Sequence, residues 1–179
     1  LNYLQGALAS TPASDESMLT IQLEIAHSYV MTGQYAEAEV AYTALIDQLD
    51  EDAHPEEKAQ SHTGLGTVYH RQNQLDPAIQ QWMIAFKLYE DQSNHNQVAD
   101  IICDIAQARY ELGDGKRALS DYERALLLLN SVDKETRGIV MAHVAIAYAD
   151  KGDVPTTEAF FTESIEIARE LGHSAVEAL

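Results

Sequence analysis

The sequence predicts an all-α chain that forms a right-handed superhelix (an α-solenoid) of antiparallel helix pairs. A 40-residue internal repeat is the first observation behind this prediction. Its small residues are spaced 40, 40 and 39 positions apart, at Ala26, Gly66, Ala106 and Ala145. The second observation is a helix stop at the same point of every repeat, at Gly33, Asn73, Gly113 and Gly152. Self-similarity with a period of about 20–50 residues is typical of stacked repeats.

The first helix of each pair is predicted by an apolar stripe that ends at the stop. In the first repeat the stripe has helical spacing and consists of Met18, Ile21, Ile25, Ala26 and Tyr29. The stop residue must turn into the left-handed conformation, which glycine adopts without strain and asparagine tolerates. Four matches at this slot fix the register of the repeat.

The second helix begins just after the stop, where Pro77 and Pro155 suit a first helical turn. A small residue occupies its early contact slot, as Ala38, Ala78, Ala118 and Thr157. An aromatic residue follows four positions later, as Tyr42, Trp82, Tyr122 and Phe161. The next slot holds Leu45, Ala85, Ala125 and Ser164. Small residues let helix backbones approach, and the aromatic rings fill the space between pairs.

These slots divide the chain into repeats. We predict repeats at 19–58, 59–98, 99–137 and 138–179, the last one including the start of a following helix. Residues 1–18 are predicted to hold the second helix of a partial preceding repeat and a linker. Since neither end carries a polar capping helix, we expect the intact protein to extend beyond this segment.

The charge of the chain limits its partners. Twenty-nine acidic and 11 basic residues give a net charge of −18, which disfavours nucleic acid and anionic membranes as partners. It favours a protein or peptide partner, and a basic one in particular. The densest acidic stretch, from Asp47 to Glu57, is interpreted as a solvated connection between helices, with a docking patch as the alternative. No apolar run is long enough for a membrane helix, and we take a cytoplasmic location as the default.

No constellation of residues predicts catalysis, a metal site or a cofactor. Gly64-x-Gly66 lacks the preceding strand and the third glycine of a phosphate-binding loop. The seven histidines form no pair with metal-ligand spacing and a helping acid. Cys103 is the single cysteine and has no fixed histidine partner in sequence. We therefore predict a protein that is not an enzyme and needs no cofactor or metal.

The repeat resembles the tetratricopeptide repeat (TPR). In the first unit the pattern reads Ala26, Tyr29, Gly33, Tyr35, Ala38 and Tyr42, and the other units follow it with few departures. In the third unit Arg109 stands in the first aromatic slot, and we expect Tyr110 to compensate for it. The 40-residue period is similar to that of the long-helix repeats of bacterial regulatory and signalling proteins. It is also similar to that of the kinesin light chain.

The resemblance implies a concave groove, lined by the first helices, that binds peptides or protein segments. Carried onto this sequence, the groove residues are Leu23, His27, Met31, Thr67, His70, Arg71, Gln107, Tyr110 and Ile146. Asp100 and Asp104 occupy slots where groove-bound acidic C-terminal tails of chaperones meet basic residues, so such a tail is not expected as the ligand. No Asn ladder of the adaptor type occurs in these slots.

The predicted function is therefore a protein–protein interaction module that binds a peptide or protein segment in this groove. Two alternatives stay open on the sequence. One is a sensor segment of a larger signalling protein, controlling an attached output domain. The other is a self-association scaffold that forms a homo-oligomer through its uncapped ends.

Overall fold

The computed structural model describes residues 15–129 and 134–172. The described residues form helices joined by short turns and contain no strand, so the all-α prediction is confirmed. The helices are α1 (Asp15–Met31), α2 (Tyr35–Gln48), α3 (Pro55–Arg71), α4 (Leu75–Asp91), α5 (His95–Glu111), α6 (Gly115–Leu128), α7 (Lys134–Asp150) and α8 (Val154–Glu170).

The described residues fall into two compact units, one ending at Ser93 and the other beginning at Asn94. In the first unit α1 packs on α2, α2 on α3, and α3 on α4. In the second unit α5 packs on α6, α6 on α7, and α7 on α8. Each unit therefore consists of two helix pairs, and the second helix of one pair packs on the first helix of the next.

The predicted repeat starts at 19, 59, 99 and 138 each fall on the fifth residue of a first helix, in α1, α3, α5 and α7. The repeat boundaries and the right-handed course of the whole array stay predictions. The helix of a preceding repeat, predicted near the start of 1–18, lies outside the described residues, and residues 15–18 belong to α1. The helix start predicted after residue 172 lies entirely outside them.

The four stop residues all have the left-handed backbone that the sequence predicts. Their φ angles are +74° at Gly33, +60° at Asn73, +84° at Gly113 and +75° at Gly152. The residue after each stop donates its amide hydrogen to a carbonyl five residues earlier, as Gln34 does to Tyr29 at 2.8 Å. This is the Schellman pattern, which satisfies carbonyl groups that a helix end leaves free. The same chemistry thus ends every first helix.

The small and aromatic slots meet as predicted in the first unit. A Cβ atom at Gly64 would lie 2.1 Å from the Tyr42 ring, and one at Gly66 would lie 2.5 Å from the Trp82 ring. Both rings are buried. The two glycines therefore let α3 pack closely against the helices on either side, and neither belongs to a phosphate-binding loop.

Tyrosine hydroxyls in the first aromatic slot link successive pairs. Tyr69 donates to Glu39 at 3.3 Å, and Tyr148 donates to Glu123 at 2.8 Å. In the third repeat Arg109 forms an ion pair with Asp121 of α6 instead. The expectation that Tyr110 compensates for Arg109 is wrong, because the Tyr110 hydroxyl donates to Asp150 on the next first helix.

Candidate functional site

A pocket with a volume of about 130 Å³ opens in the second unit. Its lining comes from three successive helices, with Gln107 and Tyr110 on α5, Tyr122 on α6, and His143 and Ile146 on α7. Gln107, Tyr110 and Ile146 are groove residues implied by the family resemblance. The structure therefore brings together the groove positions assigned to the third and fourth repeats.

Helical spacing explains how two first helices present these side chains together. Residues three apart lie on the same face of a helix, which places Gln107 beside Tyr110 and His143 beside Ile146. Tyr122 is only 2% exposed and forms the floor, whereas Ile146 is 42% exposed and lies at the rim. The pocket thus has a buried polar floor and an accessible, largely apolar rim.

A chain of hydrogen bonds runs along this floor. The Gln107 amide nitrogen donates to the Glu111 carboxylate at 2.7 Å. The Tyr122 hydroxyl oxygen lies 2.9 Å from Gln107 Oε1 and 2.9 Å from His143 Nδ1. The Tyr122 and His143 rings are also in contact, with centroids 5.2 Å apart. The four side chains form one connected network.

The chemistry of the groups determines which atom donates and which accepts in each hydrogen bond of the network. A carboxylate only accepts, so the Gln107 amide nitrogen faces Glu111 and its oxygen faces Tyr122. Because that oxygen also only accepts, the single Tyr122 hydroxyl proton goes to Gln107. His143 must then carry its proton on Nδ1 and donate it to the Tyr122 oxygen. Its other nitrogen, Nε2, is left as an acceptor.

Burial keeps the floor neutral. Desolvation lowers the pKa of His143 below 6.5, and desolvation is also the main cause that raises the pKa of Tyr122 well above 10. At neutral pH the imidazole is therefore uncharged and the phenol protonated, as the hydrogen-bond directions require. The hydrogen bond to Asp150 is the first cause of a raised pKa at Tyr110.

Two further residues on α5, Cys103 and Asp104, have a shifted pKa. Desolvation, with the nearby Asp104 and Asp100 carboxylates, raises the pKa of the Cys103 thiol far above its usual range. Desolvation, followed by Asp100, raises the pKa of Asp104 to about 7. Cys103 is thus a protonated thiol at neutral pH, which is a poor nucleophile.

Three of the groove residues implied for the first unit make contacts within that unit. Leu23 is half-buried and packs against the core around Tyr42. The Thr67 hydroxyl donates to the Thr63 carbonyl at 3.1 Å. The His70 ring contacts the Trp82 ring, with centroids 5.6 Å apart.

The other three first-unit positions remain accessible. His27 and Arg71 are exposed, and Met31, at the end of α1, is 72% exposed. These three side chains can meet a ligand without disturbing the core.

The sequence reasoning missed two residues of the pocket. Tyr122 was assigned to the core, which is correct for its ring but overlooks its hydroxyl. His143 lies three residues before Ile146 and so shares its helix face, a signal that could have found it. Within residues 15–129 and 134–172 no three His, Cys, Asp or Glu side chains are placed to share a metal ion. None of the described helices is long and apolar enough to span a membrane.

Comparisons with known proteins place the fold. No protein-family profile matches the chain, and no curated protein sequence matches it either. Among solved structures, BtubC from P. vanneervenii superposes with a TM-score of 0.81 at 18% identity, over 94% of this chain and 72% of BtubC.

Two further structures are similar. The Rap conjugation gene regulator of plasmid pLS20, solved in complex with the Phr* peptide, has a TM-score of 0.83 at 15% identity, over 99% of this chain. A STAND protein with a tetratricopeptide repeat sensor, from Pyrococcus horikoshii, has a TM-score of 0.77 at 19% identity, over 97% of this chain. The chain spans only 50% and 26% of the lengths of these two proteins. At these identities the likeness concerns the fold, and the chain has the helix-pair fold of tetratricopeptide repeat proteins.

Proposed function

We propose that this chain is a protein-interaction module that binds a peptide or protein segment in the groove formed by its first helices. The pocket between α5 and α7 is the observation that carries the proposal. It gathers Gln107, Tyr110 and Ile146, which come from two different repeats, around one cavity. Ligand-binding sites typically combine apolar and aromatic side chains with a few placed polar groups. This pocket has an accessible apolar and aromatic rim above a floor of hydrogen-bonded polar groups.

The size of the pocket favours a side chain of a longer ligand. Sites for small molecules and cofactors measure about 300–1,000 Å³, whereas this pocket measures about 130 Å³. A cavity of about 150 Å³ holds a molecule the size of benzene. One side chain of a peptide fits this space, and a whole cofactor does not.

Charge and the structural neighbours support a peptide partner, and a basic one. The net charge of −18 attracts cationic segments and repels acidic ones. One similar structure, the Rap regulator, contains a bound peptide. For the first unit we propose His27, Met31 and Arg71, which are exposed, as contacts of a ligand segment.

Site-specific photo-crosslinking tests the proposal. Benzoylphenylalanine is placed at position 146 in the groove or, as a control, at position 127, where Leu127 is 86% exposed on the second helix α6. After irradiation in a lysate of the source cells, mass spectrometry identifies the attached peptides. We expect a defined partner segment at position 146 and none at position 127. Equal attachment at both positions would exclude the groove as the binding surface.

A second candidate function is a sensor segment that controls an attached output domain. One observation favours it: a structural neighbour that covers 97% of this chain is a STAND protein with a tetratricopeptide repeat sensor. The coding sequence on either side of this segment decides the matter. A flanking cyclase, kinase, protease or DNA-binding domain would support a sensor, and an open reading frame confined to this segment would contradict it.

A further inference from the structure

We propose that the pocket lined by Tyr110, His143 and Ile146 is a subsite for a lysine or arginine side chain of the bound segment, whose N–H group donates to Nε2 of His143. The proposal rests on the proposed function and specifies one position of its ligand. It follows from the hydrogen bonds that the pocket side chains already make, from the size of the pocket, and from the charges beside it.

Nε2 of His143 is an accessible, unused acceptor. Within the described residues it takes part in no hydrogen bond, since the one recorded for this ring is made by Nδ1. No polar side-chain atom in this part of the chain is both buried and unpartnered. Nε2 must therefore be open to solvent, and its ring lines the pocket.

Most of the other polar groups of the pocket already donate their hydrogen atoms to other groups of the protein. Tyr122 donates to Gln107, His143 donates to Tyr122, and Tyr110 donates to Asp150. The second amide hydrogen of Gln107 is the one side-chain donor left. The hydroxyl oxygen of Tyr110 keeps lone pairs that can still accept. The pocket thus offers more acceptors than donors, and it matches a ligand tip that donates.

Carboxylates on both flanks select a cationic tip. Asp150 accepts a hydrogen bond from Tyr110, and Glu111 accepts one from Gln107. Because Tyr110 is a neutral donor, its hydrogen bond leaves the negative charge of Asp150 in place. Asp150 has no cationic partner among the described residues. None of the described residues that line the pocket is a Lys or Arg.

The shape of the pocket agrees with such an occupant. Lysine and arginine carry an apolar stem that packs on apolar surface while the charged head stays hydrated. Ile146 and the Tyr110 ring supply that surface at the rim. An aspartate or glutamate of a ligand would instead meet acceptors and negative charge. A purely apolar side chain would fill the space but leave Nε2 without a partner.

A random heptapeptide library displayed on phage, selected against the full chain, tests this inference. A parallel selection uses His143→Phe, which keeps a ring but removes both nitrogens, after circular dichroism has shown that the variant is folded. We expect Lys or Arg to be enriched at one fixed position with the wild type and not with the variant. Counter-selection against Ile146→Lys, which replaces the apolar rim by a positive charge, retains only peptides that use the groove.

The selected peptide then separates the outcomes. Replacement of its basic residue by norleucine, which keeps the stem and lacks the ammonium group, should weaken binding to the wild type about tenfold or more, as expected for a hydrogen bond to a charged group. Groove-dependent peptides without a fixed basic position, or equal affinity for the norleucine peptide, would overturn the subsite and leave the groove function standing. Selection of the same peptides by wild type and Ile146→Lys would contradict the groove function itself.

Discussion

The hydroxyl oxygen of Tyr122 lies 2.9 Å from Nδ1 of His143. This contact joins a buried residue of the repeat core to a second residue that lines the pocket. The Tyr122 ring packs in the buried aromatic slot, while its hydroxyl fixes the tautomer of His143 and the orientation of Gln107. The scaffold pattern of the repeat and the polarity of the pocket thus depend on one side chain.

Tyr122→Phe is expected to destabilise the fold by about 1–3 kcal/mol, because Gln107 and His143 each lose a partner. Tyr42→Phe is the matched control. Its ring is equally buried in the same slot of the first repeat, but its hydroxyl makes no hydrogen bond within the described residues. Urea unfolding of both variants measures the difference. Equal losses would contradict the importance of the Tyr122 network.

Gly64→Ala is expected to destabilise the protein by about 1–3 kcal/mol or more, since its Cβ atom would lie 2.1 Å from the buried Tyr42 ring. Gly115→Ala is the control, because a Cβ atom there meets no atom within 4 Å and the residue begins helix α6. Alanine favours a helix over glycine, so the control variant should be neutral or slightly more stable. Thermal unfolding compares the two, and a stable Gly64→Ala protein would disprove the close packing.

Asp104→Asn is expected to stabilise the protein more at pH 8 than at pH 5. The pKa of Asp104 is raised from 3.8 to about 7 in the folded state, so the folded state holds a proton that the unfolded chain releases between these values. Stability therefore falls as the pH rises from about 4 to 7. Melting temperatures at both pH values test this, with the exposed Asp91→Asn as control. A gain at pH 5 equal to the gain at pH 8 would contradict the assignment.

Binding of the selected peptide, with its Lys or Arg in the pocket, should lower the pKa of His143 further. The imidazole is neutral above a pKa that burial already holds below 6.5, and a cation on Nε2 binds only the neutral form. The ring lies against the uncharged Tyr122 and near Tyr110, while the Asp104, Glu111 and Asp150 carboxylates are on the flanking positions of α5 and α7. Protonation of His143 or of Asp104 removes attraction for a cation, so affinity should fall between pH 7.5 and 5.5.

An NMR titration of the His143 ring with and without the peptide checks this linkage. The midpoint should move to lower pH when the peptide is bound. A move to higher pH would mean that the ligand stabilises the charged ring, as an anionic group does. The ring of His62 serves as control in the same titration, since His62 is a buried histidine of the first unit that hydrogen-bonds Gln81.

The fold follows from the sequence because its determinants are local and repeated. Gly33 and Asn73 end their helices through their own backbone preference, and Gly66 with Trp82 fits by size alone. The pocket depends on side chains that vary between repeats. The hydrogen bond between Tyr110 and Asp150 and the contact between His143 and Tyr122 depend on how the helices of the second unit pack. No repeating pattern in the sequence predicts these two contacts.

Isothermal titration calorimetry of the selected peptide against two variants that introduce a positive surface charge tests the central claim most directly. Ile146→Lys places an ammonium group on the pocket rim, and Leu127→Lys places one on a more exposed position of α6. If the groove of the second unit binds the partner, Ile146→Lys should weaken binding about tenfold or more and Leu127→Lys should leave it unchanged. Unchanged binding in Ile146→Lys, or an equal loss in both variants, would contradict the account.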